Sequence, residues 1–206
     1  MSFDRYTKFL SDLYESKSKQ VAGYDQFFNI IGPKGIGLID DLDFKEIKIS
    51  SMEHKVRSGG KVRTKRTKKS LIVPQFFIGR NQLSPNQLSE GTFKTLTLLF
   101  YLITEQSSAL LIEEPEVCVH QGLLSSIIEL IKIYSKKKQV VVSTHSDFVL
   151  DQVEPRHVYR VSRDSKHGTT VHQIQKTMSR KEFSALKKYL DREGNLGEYW
   201  RHGGLE

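Results

Sequence analysis

The stretch LLIEEPEVCVHQ (residues 110–121) joins an apolar run to a cluster of carboxylates. Adjacent side chains of an extended strand point to opposite faces of a sheet, so Glu113 and Glu114 cannot both face one core. Burying a carboxylate without a partner is costly, and burying two is worse. The stretch therefore predicts a strand that leaves its sheet at the glutamates, where the carboxylates meet solvent, a metal ion or a ligand.

The flanking segments predict a strand–helix–strand unit. ALLIEE (109–114) and QVVVSTH (139–145) are apolar strands, and VHQGLLSSIIELIKIYSKKK (119–138) is an amphipathic helix that ends in lysines. Strands that are apolar on both faces and joined by a helix indicate a parallel sheet covered on both sides, with a right-handed crossover. Functional groups gather beyond the carboxyl ends of such strands. Here those ends read EEPE and STHSD.

Two helix starts precede this unit. SPNQ (84–87) predicts a short turn capped by Ser84, and LSEGTFKTLTLLFYLITEQ (88–106) predicts a long helix that starts at Ser89. Backbone N–H groups and the helix dipole at the second start can face an anion, and Gly91 allows close approach of the main chain. The predicted apolar face of this helix consists of Phe93, Leu96, Phe100 and Ile103.

The rest of the chain gives a coarser prediction. We expect a helix over 4–19, strands over 32–50 and 70–79, a short helix over 146–153, a hairpin over 157–175 with its turn near 165–168, and a helix from Ser179 to Gly194. Pro74 predicts an edge or an interruption in the second strand.

The net charge of +8 has a local origin. HKVRSGGKVRTKRTKK (54–69) holds eight Lys/Arg and no Asp/Glu, so the rest of the chain is neutral. The run is interpreted either as a solvated loop or as a β-hairpin with its tip at 58–60 that projects cations toward phosphates. No aromatic residues are interleaved for base stacking. The candidate nucleic-acid contacts are Lys55, Arg57, Lys61, Arg63, Lys65 and Arg66.

Composition narrows the class of protein. With 37% hydrophobic and 27% charged residues, the chain fits one soluble globular domain or a lobe of a larger one. No apolar run reaches the roughly 20 residues of a membrane span, and MSFDRYTKFL lacks a signal-peptide core. We therefore expect a cytoplasmic protein with no membrane partner. Cys118 is the single cysteine, which excludes an internal disulfide and favours a buried structural thiol.

Three motifs occur in an order that resembles a known family of ATPases. LSEGT, then LLIEEPE about twenty residues later, then VVVSTHSD about thirty residues after that, resembles the second half of an ABC-type ATPase. The chain is most similar to the RecF/SMC/OLD-like branch, AAA family ATPases often found in bacterial anti-phage defence. That branch often has Glu-Glu-Pro-Glu as its Walker B segment and Leu-His-Pro soon after. The resemblance covers residues 83–153, roughly a third of the chain.

The resemblance implies a role for each matching residue. The signature motif, which binds ATP of the opposite subunit, would be Ser89, Glu90 and Gly91. In the Walker B segment, Glu113 would hold Mg²⁺ through water and Glu114 would polarise the attacking water. The switch histidine would be His145, and the D-loop that contacts the dimer partner would include Glu116 and His120. Two positions depart from the pattern. Glu113 replaces the aspartate usual in transporter ATPases, and Val119-His120-Gln121 replaces Leu-His-Pro.

The resemblance also implies the architecture. The expected fold class is α/β, a P-loop NTPase-like C-terminal lobe of an ABC ATPase head, with a mostly parallel sheet flanked by helices and peripheral antiparallel strands. Residues 1–22 would end a helical insertion, 23–82 would form a strand-rich segment with a basic loop at 54–69, and 83–206 would form the C-terminal lobe.

A P-loop is missing from this pattern. It needs G-x-x-x-x-G-K-[ST] between a strand and a helix, and neither GPKGIG (32–37) nor SGGKVRT (58–64) fits. We therefore expect a C-terminal half that binds ATP and Mg²⁺ only with a Walker A-bearing half or split-gene partner, and that is inactive alone. The family further implies a homodimer or larger oligomer of ATPase heads, an effector nuclease, and DNA or RNA as partners.

Two other functions fit parts of the sequence. A metal-dependent nuclease would use Glu113, Glu114, Glu116, His145 and Asp147, although adjacent strand residues converge poorly on two metal ions. A non-catalytic regulatory module would keep the fold and use the basic segment to hold nucleic acid or a partner protein. The missing P-loop favours this module, and the presence of both Glu114 and His145 opposes it.

Overall fold

The computed structural model describes residues 3–56, 62–166, 168–192 and 194–203. The helices found there are α1 Phe3–Ser18, α2 Tyr24–Ile31, α3 Glu90–Thr104, α4 Gln121–Tyr134, α5 Asp147–Leu150, α6 Ile174–Thr177, α7 Arg180–Arg192 and α8 Leu196–Arg201. The strands are β1 Asp41–Val56, β2 Val62–Ile78, β3 Asn81–Leu83, β4 Ala109–Glu113, β5 Gln139–Ser143, β6 Tyr159–Asp164 and β7 Gly168–Gln173. Arg57, Lys61 and the predicted hairpin tip lie outside the described residues.

The chain divides into two compact units, residues 1–110 and 111–206. Among the described residues, no helix is long and apolar enough to cross a membrane.

The first unit has an aromatic core built on α3. The predicted face of this helix is buried at all four positions, Phe93, Leu96, Phe100 and Ile103. The ring of Phe100 meets those of Phe9 and Phe27 edge-on, with centroids 5.7 Å and 5.4 Å apart. Edge-to-face pairs add a specific geometry to the area that they bury. The core therefore fixes how α1, α2 and α3 pack.

Helix α2 was not expected from the sequence. Its eight residues are followed by a tight turn in which a Cβ on Gly35 would lie 2.1 Å from the carbonyl oxygen of Ile30. The segment GPKGIG thus follows a helix and precedes strand β1, which is the reverse of the order in a P-loop.

Strands β1 and β2 form one long antiparallel hairpin. Their register is continuous from Asp41↔Phe77 to Val56↔Val62. Residues 54–56 and 62–69 are strand, so the basic run is not a loop at these positions. The pairing agrees with the hairpin interpretation, whose contact with phosphates remains a prediction. Strand β3 pairs only with residues 76–78, so β2 is open on that side at Pro74, as proline requires.

Strands β4 and β5 form a two-stranded parallel sheet joined through α4, which confirms the α/β fold class with a parallel sheet and separate antiparallel strands. The sheet is not covered on both faces as predicted, because Leu111 is 78% exposed and Val141 is 49% exposed. The one helix that joins the two strands, α4, can cover only one face of the sheet. The odd-numbered residues of both strands are therefore exposed.

The end of the second unit follows the prediction and adds two short helices, α6 and α8. Strands β6 and β7 pair as a hairpin, and α7 starts with a capping box between Ser179 and Glu182. Helix α8 is capped by Asn195, whose side chain accepts a hydrogen bond from the N–H of Glu198. The core of this region consists of Ile174, Leu186 and Leu196.

Candidate functional site

The conformation at the end of β4 changes abruptly between its two glutamates. Glu113 is the exposed last residue of the strand, and Glu114 has a φ of +43°. A left-handed conformation is uncommon outside glycine and clusters at functional sites. The N–H of Glu114 donates to the carbonyl oxygen of Ser143 at 2.9 Å, which holds this residue against the end of β5.

Glu114 and His145 lie close together although 31 positions separate them in the sequence. Glu114 Oε1 is 4.0 Å from His145 Nε2, and the side chains are 41% and 86% exposed. The parallel arrangement of β4 and β5 brings the two residues to the same edge of the sheet. Water can therefore reach both groups at once.

Glu116 fixes the loop that carries His145. Its Oε1 accepts hydrogen bonds from Thr144 Oγ1 at 2.7 Å and from the N–H of His145 at 3.0 Å. Thr144 Oγ1 in turn accepts from the N–H of Ser146 at 3.0 Å. We call Glu113, Glu114, Glu116, Thr144 and His145 the carboxylate corner.

Sequence reasoning missed Thr144, although a hydroxyl directly before His145 in STHSD was a usable signal. Glu116 was predicted to contact a dimer partner, and that role remains a prediction. Its Oε1 is already engaged within the chain.

Asp147 does not add a carboxylate to the corner. It accepts from Nε of Arg201 at 2.7 Å and from a second guanidinium nitrogen of the same side chain. These hydrogen bonds, and then the charge of Asp147, raise the pKa of Arg201. The N–H of Gly197 also donates to Asp151 at 2.7 Å, which ties α8 to α5. No sequence signal links residues so far apart.

His120 and Cys118 lie in the turn between β4 and α4. His120 is the N-cap of α4, and its Nδ1 accepts from the N–H of Leu123 at 3.3 Å. A D-loop role for His120 remains a prediction.

Cys118 is exposed and has a φ of 65°, so the expectation of a buried thiol is wrong. The strand has already ended at this position, and the side chain of Cys118 lies outside the core.

The predicted signature residues begin α3 in the first unit. Ser89 Oγ accepts from the N–H of Thr92 at 3.1 Å and lies 2.8 Å from its hydroxyl. Ser89 and Glu90 are exposed, and Gly91 is half-buried in the first turn. The exposed helix start can meet an anion, while Ser89 already caps its own helix.

The described residues contain no group of three or more His, Cys, Asp or Glu that could hold a metal ion. Magnesium is bound in many phosphate-handling sites by one or two carboxylates, together with phosphate oxygens and water. The single exposed carboxylate of Glu113 suits an ion that arrives with a nucleotide. It does not suit a two-metal site, in which carboxylates must converge on both ions.

Solved structures of SMC heads are similar to this chain at low identity. One comes from work on ATP-driven dimerization and DNA-stimulated activation of SMC ATPases, with a TM-score of 0.46, 13% identity, and coverage of 87% of this chain and 97% of that one. A second is an SMC head bound to the C-terminal winged-helix domain of ScpA, with a TM-score of 0.42, 16% identity, and coverage of 63% and 39%.

A third is an SMC head with a coiled coil and joint from Pyrococcus yayanosii, with a TM-score of 0.46, 12% identity, and coverage of 84% of this chain and 30% of that one. Among proteins with curated functions, none matches the chain.

The sequence profile that matches the chain covers residues 6–151, which include the carboxylate corner and the start of α3. The profile is described as "AAA domain, putative AbiEii toxin, Type IV TA system". It spans well over half of the 206 residues. The chain therefore belongs to this family of AAA domains.

Proposed function

We propose that this chain supplies the signature, Walker B and switch-histidine part of an ATPase that hydrolyses ATP as a head-to-head dimer. One observation carries the proposal: Glu114 and His145 face each other at 4.0 Å, both exposed, at the ends of neighbouring parallel strands. A carboxylate and an imidazole at this distance can share one water molecule between them. Membership of an AAA family supports phosphoryl chemistry at this site.

In the proposed reaction, Glu114 orients a water molecule for in-line attack on the terminal phosphate and accepts its proton. His145 donates a hydrogen bond to a phosphate oxygen, and Glu116 keeps the loop of His145 in place. Magnesium bound with the nucleotide supplies compensation for the negative charge, and Glu113 would hold it through water.

A second subunit and a Walker A-bearing segment would complete the site. Ser89 and Gly91 would contact the ATP of the opposite subunit, and Glu116 and His120 would lie at the dimer contact. The 206 residues contain no Walker A motif, so a Walker A-bearing segment or partner chain would cradle the phosphates.

The first test is Glu114→Gln in the complete ATPase, meaning this chain together with its Walker A-bearing segment. We expect ATP turnover to fall by about 10²–10⁴-fold, since general base catalysis contributes roughly that much. ATP-bound dimers should accumulate, which light scattering after gel filtration detects. Glu129→Gln is the control, because it removes an exposed carboxylate on α4 that pairs with Lys132. Equal turnover in the two variants would refute the role of Glu114.

The second test uses the 206-residue chain alone. We expect no binding of MgATP at micromolar concentrations by calorimetry, because no backbone cradle for the phosphates is present in the sequence. Micromolar binding or turnover by this chain would contradict the proposal of a shared site.

The second candidate is a non-catalytic module, which the missing Walker A motif favours. It predicts that no Walker A-bearing partner restores ATP turnover and that Glu114→Gln leaves the activity of the protein unchanged.

The biological role that we propose for the ATPase is DNA-related or anti-phage defence work, with an effector nuclease as a partner. The family description, which names a toxin–antitoxin system, supports that setting.

A further inference from the structure

The distal part of the β1–β2 hairpin projects as an exposed ribbon. We call residues 47–56 and 62–71 the basic arm. Every residue of the arm is exposed except Thr67, which is half-buried. At about 3.4 Å per residue, the arm is roughly 30 Å long, close to one turn of duplex DNA. A strand pair of this length with no core beneath it is not explained by folding of the first unit.

The arm concentrates positive charge. It carries seven Lys/Arg and one acid, Glu53, for a net charge of +6. Across residues 3–56, 62–166, 168–192 and 194–203, none of these seven cations forms an ion pair with an acidic side chain. Like charges crowded on one ribbon repel each other, so the arrangement is unfavourable until a polyanion neutralises it.

The register places the cations on both faces of the ribbon. Directly paired residues of an antiparallel hairpin share a face, and the pairing joins even to even and odd to odd positions. The even face carries Lys48, Arg66 and Lys68, and the odd face carries Lys55, Arg63, Lys65 and Lys69. A surface that docks on a flat partner would place its charges on one face. Two charged faces suit a ligand with negative charge on both sides of the ribbon.

The major groove of B-form DNA has that geometry. It is about 12 Å wide, admits a two-stranded β-ribbon, and is walled by phosphates on both sides. The major groove of A-form RNA is too narrow for such a ribbon. Residues 45–73 contain no Phe, Tyr or Trp, so the arm lacks the stacking platform that single strands require. The geometry and the composition thus favour duplex DNA over both alternatives.

We infer that the basic arm binds duplex DNA by lying in the major groove, where its two faces neutralise phosphates of opposite walls. The contacts go to phosphates and specify little base sequence, because Lys and Arg dominate the exposed side chains. The inference is independent of ATP hydrolysis, since the arm shares no residue with the carboxylate corner.

The test removes three charges from one face at a time in the full 206-residue chain. The even-face variant is K48Q/R66Q/K68Q, and the odd-face variant is K55Q/R63Q/K69Q. The control is K136Q/K137Q/K181Q, which removes the same charge from exposed positions of the second unit. Binding to a 30-base-pair fluorescent duplex is followed by anisotropy over a salt series without nucleotide, and circular dichroism checks that each variant is folded.

Each face variant should bind at least about tenfold more weakly at moderate salt, and the slope of log K against log [salt] should fall by about 2 to 3, as expected for three lost phosphate contacts. The control should keep the wild-type slope. Two duplexes of unrelated sequence should bind alike, and duplex RNA and single-stranded DNA should bind more weakly than duplex DNA.

Four results would overturn the inference. Equal loss in the control and in the face variants would mean that only total charge matters. Loss in one face variant alone would show docking on a flat partner instead of insertion in a groove. Tighter binding of RNA or of single strands would assign the arm to another nucleic acid. If wild type does not bind the duplex but dimerises through the arm, a second copy of this chain is the occupant.

Discussion

The carboxylate corner and the first unit each contain a carboxylate that accepts a hydrogen bond from a hydroxyl. In the corner, Thr144 donates to Glu116 at 2.7 Å across 28 positions of sequence, in a partly buried setting. At the base of the basic arm, Ser70 donates to Glu46 at 2.5 Å across two paired strands, in an exposed setting. The hydrogen bond between Thr144 and Glu116 fixes a loop that is not part of a strand pair. The hydrogen bond between Ser70 and Glu46 joins two strands that the β1–β2 pairing already connects.

The contrast separates two ways of presenting charge. The corner places single groups at fixed distances, as chemistry on one atom requires. The basic arm presents many similar charges whose sum matters more than the position of each one. Single substitutions should therefore have large effects in the corner and small, additive effects in the arm.

Among the substitutions that test this contrast, His145→Ala in the complete ATPase should have the largest effect. We expect turnover to fall by about 10²-fold or more, because the imidazole that faces Glu114 is lost. His172→Ala removes an exposed imidazole from β7 and should leave turnover unchanged. Steady-state phosphate release measures both variants. Similar rates would show that the proximity of His145 to Glu114 has no catalytic use.

Next in size is the loss of the Glu116 carboxylate. Glu116→Ala leaves the Thr144 hydroxyl and the His145 N–H without their acceptor, which should lower the free energy of unfolding by about 1–3 kcal/mol. Glu116→Gln retains one acceptor oxygen and should retain most of the stability. Ser70→Ala, at the exposed bond, should cost less than about 0.5 kcal/mol. Denaturant titrations measure the free energy of unfolding of the three variants. Equal losses of stability in Glu116→Ala and Ser70→Ala would show that the two hydrogen bonds do not differ in importance.

The stability of the first unit should respond to alkaline pH through Tyr24. Burial, and then the charges of Asp41 and Asp25, raises the pKa of this phenol from 10.0 to about 12. Because the folded state favours the neutral phenol, its contribution to stability is complete below pH 10 and disappears as the pH rises toward 12. Thermal unfolding across this range should show the decline, and Tyr24→Phe should reduce it. An unchanged pH profile in Tyr24→Phe would contradict this assignment.

The smallest effect should come from one cation of the arm. Arg66→Gln should weaken duplex binding only several-fold, equally for unrelated sequences, and lower the salt slope by about 1. Lys68→Gln should do the same, and the double variant should show the sum of the two free-energy changes. A base-specific loss at Arg66 would mean that this side chain contacts a base edge in addition to phosphate.

Local patterns in the sequence determined most of the elements. The spacing of Phe93, Leu96, Phe100 and Ile103 predicted the buried face of α3, and Ser89 and Ser179 marked helix starts that the structure contains. These features depend on residues within one or two turns of each other, so the sequence alone contains the information. The order of LSEGT, EEPE and STHSD also predicted the family to which the chain belongs.

Features that depend on residues far apart in the chain could not be predicted from the sequence. The exposed face at Leu111 depends on which elements pack over the sheet, and an apolar run of residues does not show that. Glu116 meets Thr144, and Asp147 meets Arg201, because folding brings separated segments together. Strand pairing turned the basic run from a possible loop into a ribbon with two charged faces.

The sequence by itself therefore determined the local elements, the family and the residues that carry charge. Only the tertiary structure decided which of those charges meet. The physical reason is range: helix periodicity and capping act between near neighbours, whereas the 4.0 Å approach of Glu114 to His145 requires two strands, a crossover helix and a parallel pairing to form together.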